Sequence, residues 1–392
     1  MFSRRVAFDS PLNRLTTLLS EKMQRGVRII DLTESNPTRA EIRYPDQLLA
    51  SLHADRAMSY QPNPAGSREA RRAVRSYYES KGLQVDLESI FLTASTSEAY
   101  SWIFKLLVNP GEIILTPRPS YPLFEHLALL ESVSNVQYLL DSETRWRINS
   151  DDLESKLDKK TRGLVVVNPN NPTGTFITRS EYSELAGICR REQIALLADE
   201  VFADYALNPS PSAITSLGGR QDCLNFVLSG ISKILCLPQM KLGWILVQGP
   251  QMEKEEACRR LEFIADAFLS VSAPVQHALA AWMEQRTQVQ TQVIERLRRN
   301  LAFLENVTAQ STCHPLPVEG GWYVVLRVPA TRSEEEWSVT LLEQENVLTH
   351  PGYFYDFAGE AFLVLSLLTP TDRFEEGIRR LITFVDRNAS PT

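Results

Sequence analysis

The chain has 392 residues, of which 43% are hydrophobic and 23% charged, and it carries a formal net charge of −7. That length accommodates two domains and a large core, and the acidic balance, with no run of basic residues, argues against a nucleic-acid or anionic-membrane surface. Cys189, Cys223, Cys236, Cys258 and Cys313 are scattered without a CxxC or Cys/His spacing, so they read as reduced thiols and not as a disulfide framework or a metal site.

Met1-Phe2-Ser3-Arg4-Arg5 leads into mixed polar sequence with no signal-type or membrane-spanning apolar stretch, and the expected location is cytoplasmic. Residues 1 to about 30 hold one amphipathic helix, with Leu12, Leu15, Leu18, Leu19 and Met23 at helical spacing, an arm of the kind that packs on a second subunit. Ile29-Ile30-Asp31-Leu32 is a short strand that breaks into the polar turn Thr33-Glu34-Ser35-Asn36-Pro37-Thr38, with Arg39 and Arg43 immediately after it. Tyr60-Gln61-Pro62-Asn63-Pro64-Ala65-Gly66 is a rigid loop opening a helix near Ser67. The basic cluster Arg68 to Arg75 in that helix alternates with Glu69 and apolar residues, as a solvated helix face does.

Ile90-Phe91-Leu92-Thr93 is a β-type run that ends in small hydroxyl residues and passes into an apolar helix, Ala99 to Leu107. Such a turn leaves free backbone N–H groups and the positive end of the helix dipole aimed at one spot, an anion site to which Ser95, Thr96 and Ser97 add hydroxyls. The same residues also serve as an ordinary helix cap. Gly111 to Pro117 is a further strand, closed by Arg118-Pro119-Ser120-Tyr121-Pro122, where Tyr121 has a flat face to offer a planar ring.

Leu164-Val165-Val166-Val167 is wholly apolar, as a strand buried on both faces of a parallel sheet is. It delivers Asn168-Pro169-Asn170-Asn171-Pro172-Thr173-Gly174 to the sheet edge where ligands sit in open α/β folds, and a cis X-Pro bond fits there. After a helix from about Ser180 to Arg191, the strand starting at Ile194 ends in Asp199, a carboxylate in apolar surroundings that needs a cationic partner such as a protonated ring nitrogen.

The run Leu224 to Leu228 leads into Ser229-Gly230-Ile231-Ser232-Lys233, with Lys241 eight positions on and Gly243 beside it. An amine at the mouth of a buried strand is desolvated, which lowers its pKa and makes it a nucleophile for an aldehyde. The second cation suits a phosphate. An aldehyde and a phosphate on one planar cofactor describe pyridoxal 5′-phosphate (PLP). From Pro274 a long helical pattern runs to about Ala309, followed by a strand at Gly321 to Leu326, a helix at Ser333 to Gln344, a strand at Ala361 to Leu367 and a final helix.

Taken in order, Tyr60 to Gly66, Ser95-Thr96-Ser97, Tyr121, Asn168 to Gly174, Asp199 and Ser229 to Gly243 resemble the class I/II aminotransferase family, PLP enzymes of fold type I. The resemblance covers nearly the whole chain and implies an α/β fold, a large domain with a mostly parallel, doubly wound sheet plus a smaller α/β domain formed by both termini. The expected division is 1–48 for the arm and part of the small domain, 49–285 for the large PLP-binding domain and 286–392 for the small C-terminal domain. It also implies a homodimer with active sites at the subunit interface. By the same resemblance Lys233 would carry PLP covalently and move the substrate Cα proton, Asp199 would pair with the pyridine nitrogen, and Asn171 would hydrogen-bond the ring's phenolic oxygen. Tyr121 would stack on the ring, Thr96, Ser97, Ser229 and Lys241 would bind the phosphate, and Tyr60 would reach the phosphate in the neighbouring subunit.

Three positions depart from the family pattern. Phe202 stands where a Tyr is usual, with Tyr205 one turn further on as a possible substitute, and Lys241 stands where Arg is usual. Val364, two residues before Ser366, stands where the family places the Arg that grips the substrate α-carboxylate. The turn after Asn36 is then the expected source of a replacement cation, with Arg39 ahead of Arg43. The expected activity is transfer of an amino group between an amino donor and a 2-oxo acid. A PLP lyase, decarboxylase or synthase on the same scaffold is the alternative, and a non-catalytic effector-sensing domain the least favoured reading.

Overall fold

The computed structural model describes residues 2–6, 13–53, 55–359 and 361–389; Leu12 of the expected arm lies outside them. In chain order its strands are β1 (Ile30–Asp31), β2 (Ile90–Thr93), β3 (Ile113–Arg118), β4 (Ser134–Asp141), β5 (Arg147–Ile148), β6 (Thr161–Val167) and β7 (Ala195–Asp199). They continue as β8 (Asn225–Gly230), β9 (Gly243–Gln248), β10 (His314–Pro315), β11 (Tyr323–Arg327), β12 (Val347–Leu348), β13 (His350–Pro351) and β14 (Phe362–Ser366).

Eight strands form one sheet in the order β2-β9-β8-β7-β6-β3-β4-β5. The run from β8 to β4 is parallel, whereas β9 is antiparallel to both its neighbours and β5 is antiparallel to β4. The chain therefore winds outward in opposite directions from the β6/β3 boundary, and a sheet that reverses in this way opens a crevice beyond the carboxyl ends of its strands. The loops after β6 and β3, which carry Asn171 and Tyr121, flank that crevice. Both faces of the sheet are covered: Leu164 and Val166 of β6 face one apolar cluster and Val165 and Val167 the other, the burial that an uninterrupted apolar run requires.

A second sheet, β10-β11-β14-β13, packs with the helices Arg286–Thr308, Glu334–Glu345 and Thr371–Arg387 around its own core. β1 pairs in parallel with β12, so the N-terminal strand joins C-terminal structure. The arm is a helix, Arg14–Gln24, whose Leu15 packs on its own chain with Val339, Leu342 and Leu348 while Met23 is exposed. Two expectations change. The long helical pattern after Pro274 is two helices, Ala273–Glu284 and Arg286–Thr308, parted at Gln285. The Arg68 to Arg75 face is not all solvated: Arg71 is buried, donating to the Gly66 and Leu87 carbonyls, both at 3.2 Å, and to Glu88 at 2.9 Å, because loop carbonyls without strand partners need a donor.

Candidate active site

The strand ends enclose a cavity of about 1150 Å³, counting its open mouth, with Lys233, Asp199, Asn171, Tyr121 and the Ser95–Ser97 turn in its wall. Asp199 is the last residue of β7. Its Oδ2 accepts from the Tyr100 hydroxyl at 3.1 Å and its Oδ1 from the Val201 backbone N–H at 3.2 Å. Burial nevertheless pushes its carboxyl up to about 6, because those bonds and the more distant Lys233 do not replace lost hydration. Lys233 sits in the helical turn Ile231–Ile234 directly after β8. Its Nζ lies 4.8 Å from the centroid of the Trp322 ring and 5.4 Å from that of Phe202, and burial lowers its pKa against the opposing pull of Cys236 and Asp199. An amine so placed is available as a nucleophile at a pH where a solvated lysine is not.

The Ser95–Ser97 end of the cavity is built by close backbone approach. Ser95 caps the helix Thr96–Leu107, its Oγ accepting from Glu98 N–H at 3.2 Å, while Thr93 Oγ1 donates to the Ser95 carbonyl at 2.9 Å. A Cβ on Gly243 would meet the Ser95 carbonyl carbon and Thr93 Oγ1, both at 3.2 Å, and one on Gly230 would meet Gly243 Cα at 2.9 Å. Only glycines let β8, β9 and the helix N-terminus converge this tightly, leaving the first-turn N–H groups facing the cavity.

The Asn168 to Gly174 loop is held from within. Asn168 Nδ2 donates to the Ile214 carbonyl at 2.8 Å, its Oδ1 accepts from Ile177 N–H at 3.0 Å, and the peptide bonds before Pro169 and Pro172 are both cis. Asn171 reaches the cavity with its Oδ1 buried and unpartnered, and Tyr121 presents a half-exposed ring. These observations fit PLP: an unpartnered amide oxygen able to accept from a ring hydroxyl, a buried acid in need of a cation, a desolvated amine and a helix N-terminus suited to an anion.

Other expected residues lie elsewhere. Ser229 is buried in β8 with its hydroxyl directed to the Glu200 carbonyl at 3.5 Å, and Lys241 is exposed; neither lines the cavity. Tyr60 is 81% exposed and shares a separate surface depression with Leu269 to Gln276. Asn36 turns its side-chain oxygen back to Thr38 N–H at 3.0 Å, Arg39 is exposed and outside the cavity wall, and Arg43 is tied through its backbone to Gln292. Tyr205 does not substitute for a tyrosine at Phe202: its hydroxyl is fully buried and donates to the Lys233 carbonyl at 2.5 Å, holding the turn that carries the lysine. Sequence reasoning missed Tyr100, Ser35, Ser232 and Tyr323, all in the cavity wall. Tyr100 is one helical turn beyond Thr96, a spacing that could have placed it beside the anion site.

The family model for aminotransferases of class I and II matches residues 27–381. The chain belongs to this family. Two relatives are similar along most of their length. Glutamate-pyruvate aminotransferase AlaA of Haemophilus influenzae is 26% identical, with 97% of this chain and 96% of the relative covered. An alanine aminotransferase of Mycobacterium tuberculosis is 27% identical, with 92% and 86% covered. Among solved structures, an alanine aminotransferase from Pyrococcus furiosus superimposes with a TM-score of 0.89 at 22% identity, over 99% of this chain and 100% of that one, which shows the shared fold. The aminotransferase is thus an enzyme that moves amino groups with PLP as its cofactor, on the fold-type I scaffold. Nothing in these relatives supports the lyase, decarboxylase or synthase alternative.

Proposed function

We propose that this aminotransferase exchanges the amino group of an α-amino acid with the carbonyl of a 2-oxo acid, with alanine, glutamate and pyruvate the first compounds to try, because the relatives carry those names. The observation that carries the reading is the convergence of Lys233 and Asp199 on one cavity, each with its pKa displaced by burial. When bound, PLP supplies an aldehyde and an electron-withdrawing ring. Lys233 would hold the cofactor and, once released, move a proton at the substrate Cα; proton transfer of this kind contributes about 10²–10⁴ in rate. Asp199 would hold the proton on the ring nitrogen, Asn171 would bond the ring oxygen, Tyr121 would stack, and Ser95, Thr96 and Ser97 would take the phosphate.

The family resemblance assigns Ser229 and Lys241 to the phosphate as well, although Ser229 is buried in β8 and Lys241 is exposed outside the cavity wall. Tyr60, exposed on its own subunit, is assigned to the partner's site in a cytoplasmic homodimer, and the small domain is assigned residues 1–48 and 286–392. Asn36 caps its own turn and Arg39 is exposed outside the cavity wall, so neither is given a part in substrate binding. Incubation of the PLP enzyme with L-alanine or L-glutamate tests the reading: pyridoxamine phosphate and the matching 2-oxo acid are expected, whereas release of CO₂ or ammonia would replace transamination by elimination or decarboxylation.

A further inference from the structure

A 2-oxo acid carries a carboxylate beside the carbonyl that receives the amino group, so a transaminase of the kind proposed above must hold that charge in both half-reactions. A carboxylate removed from water needs a cation or several hydrogen-bond donors. Val364 is 1% exposed in β14 and offers neither. Its cross-strand neighbours are Val325 and His350. His350 does not restore the charge: burial lowers its pKa below the usual imidazole value, and its Nδ1 is engaged with the Tyr355 hydroxyl at 3.1 Å. Lys233 is the single cation among the described residues of the cavity wall, and the cofactor takes it.

Two residues beyond Val364, the strand supplies something else. Ser366 N–H donates to the Leu32 carbonyl at 2.7 Å and Ser366 Oγ to the Glu34 carbonyl at 2.6 Å, which pins the N-terminal turn against β14. Ser366 also pairs in register with Tyr323 of β11. The pin therefore sets Ser35, the next residue, beside Tyr323, and both side chains line the cavity. Burial pushes the Tyr323 phenol up to about 12, against a hydrogen bond shared with Ser35 that pulls it down, so it keeps its proton across the working pH range; a carboxylate that displaces the shared bond finds two hydroxyl donors.

We propose that Ser35 and Tyr323 bind the substrate α-carboxylate through uncharged hydroxyl donors, taking over the task of an arginine at position 364. The inference rests on the transamination reading. It replaces a cation with two donors held in place by β11, β14 and the Ser366 pin, and it leaves Arg39 and the half-buried Arg118, whose Nε has no partner but which lies outside the cavity wall, without a part in substrate binding.

The test measures the half-reaction of the PLP enzyme with L-alanine, L-glutamate and L-phenylalanine, and the reverse with their 2-oxo acids, in Tyr323→Phe, Ser35→Ala, Arg39→Ala and Arg118→Ala. The cofactor's absorbance reports that each variant is folded and loaded. Tyr323→Phe and Ser35→Ala are expected to raise the dissociation constants of amino and oxo acid together by about tenfold, equivalent to about 1.4 kcal/mol, with the limiting rate within about threefold of wild type. The arginine variants are expected to match wild type. The proposal is overturned if Arg39→Ala or Arg118→Ala shows the affinity loss instead, or if Tyr323→Phe lowers the limiting rate with unchanged affinity. If the wild type takes an amino group from none of the three amino acids, the transamination reading itself fails, and this inference with it.

Discussion

Where the strands of the large sheet end, Asp199, Lys233 and the Ser95–Ser97 turn bring ionisable groups and free backbone donors into one cavity; the small sheet contributes Tyr323 to its wall and carries, outside the wall, Val364 and a His350 whose charged form is disfavoured by burial. The first region is assembled from groups whose chemistry depends on charge. The second is assembled from apolar side chains and hydroxyls. On the proposed reading, cofactor chemistry and substrate choice are carried by different parts of the chain, and one can change while the other stays as it is in the family.

Breaking the charged side should have the largest effect. Lys233→Ala is expected to leave a folded protein without covalently held cofactor and to cut turnover by at least the 10²–10⁴ that proton transfer contributes, read from steady-state kinetics and the absorbance of the purified protein. Asp199→Asn is expected to keep the cofactor and lose more than about tenfold in rate, since an opposite charge beside a base is worth about 1–3 pKa units and an amide supplies none. Near-normal turnover in this variant would show that the ring nitrogen does not depend on Asp199.

The same aspartate gives a stability signature in the cofactor-free protein. Asp199 is held up to about 6 from an ordinary 3.8, and Glu200, which accepts from Ser216 Oγ at 2.6 Å and Leu217 N–H at 2.5 Å, is held up to about 7 from 4.5, in both cases chiefly by burial. The folded chain therefore binds more protons than the unfolded one in this window. The contribution of these two groups is complete below about pH 4 and is lost as pH rises through about 6 to 7. Asp199→Asn should flatten the decline of melting temperature between pH 4 and about 6, leaving the Glu200 part; an unchanged slope would place the buried charge elsewhere.

The sequence made the charged side legible because its residues stand in local motifs. A strand that ends in Asp199, a loop with two Asn-Pro steps and a serine-flanked lysine each declare their chemistry within a few residues. The neutral side is made by contacts between residues more than 280 positions apart: Ser35 meets Tyr323 only because Ser366 holds the Glu34 carbonyl. No pattern in the turn itself announces that pairing, and a search for a missing positive charge led to Arg39, which is exposed. The same limit hid the docking of the N-terminal helix on Val339 and Leu342, and the burial of Arg71, whose carbonyl partners belong to loops. Antiparallel β9 was not separable from the parallel strands, since a buried apolar run reads alike in either direction.

Smaller effects sharpen the comparison on the neutral side. Ser366→Ala removes a buried hydrogen bond, which costs about 1 kcal/mol in stability, and should loosen Ser35 enough to raise amino-acid dissociation constants a few-fold; unchanged affinity would mean that the turn is positioned without the pin. Phe202→Tyr adds a donor next to Lys233, whose Nζ lies 5.4 Å from the Phe202 ring centroid. It should lower the pH midpoint of the bound cofactor's absorbance change, because a phenol that donates to the ring oxygen withdraws charge from it. A midpoint that stays where it is would show that the new hydroxyl points away.

The most direct measurement is the identity of the amine that carries the cofactor. Borohydride reduction of the PLP enzyme followed by peptide mapping should place the label on Lys233, in the segment Ser229-Gly230-Ile231-Ser232-Lys233, and on no other residue. A label on Lys241, or an enzyme that turns over without any reducible link to Lys233, would contradict the site from which the whole account is built.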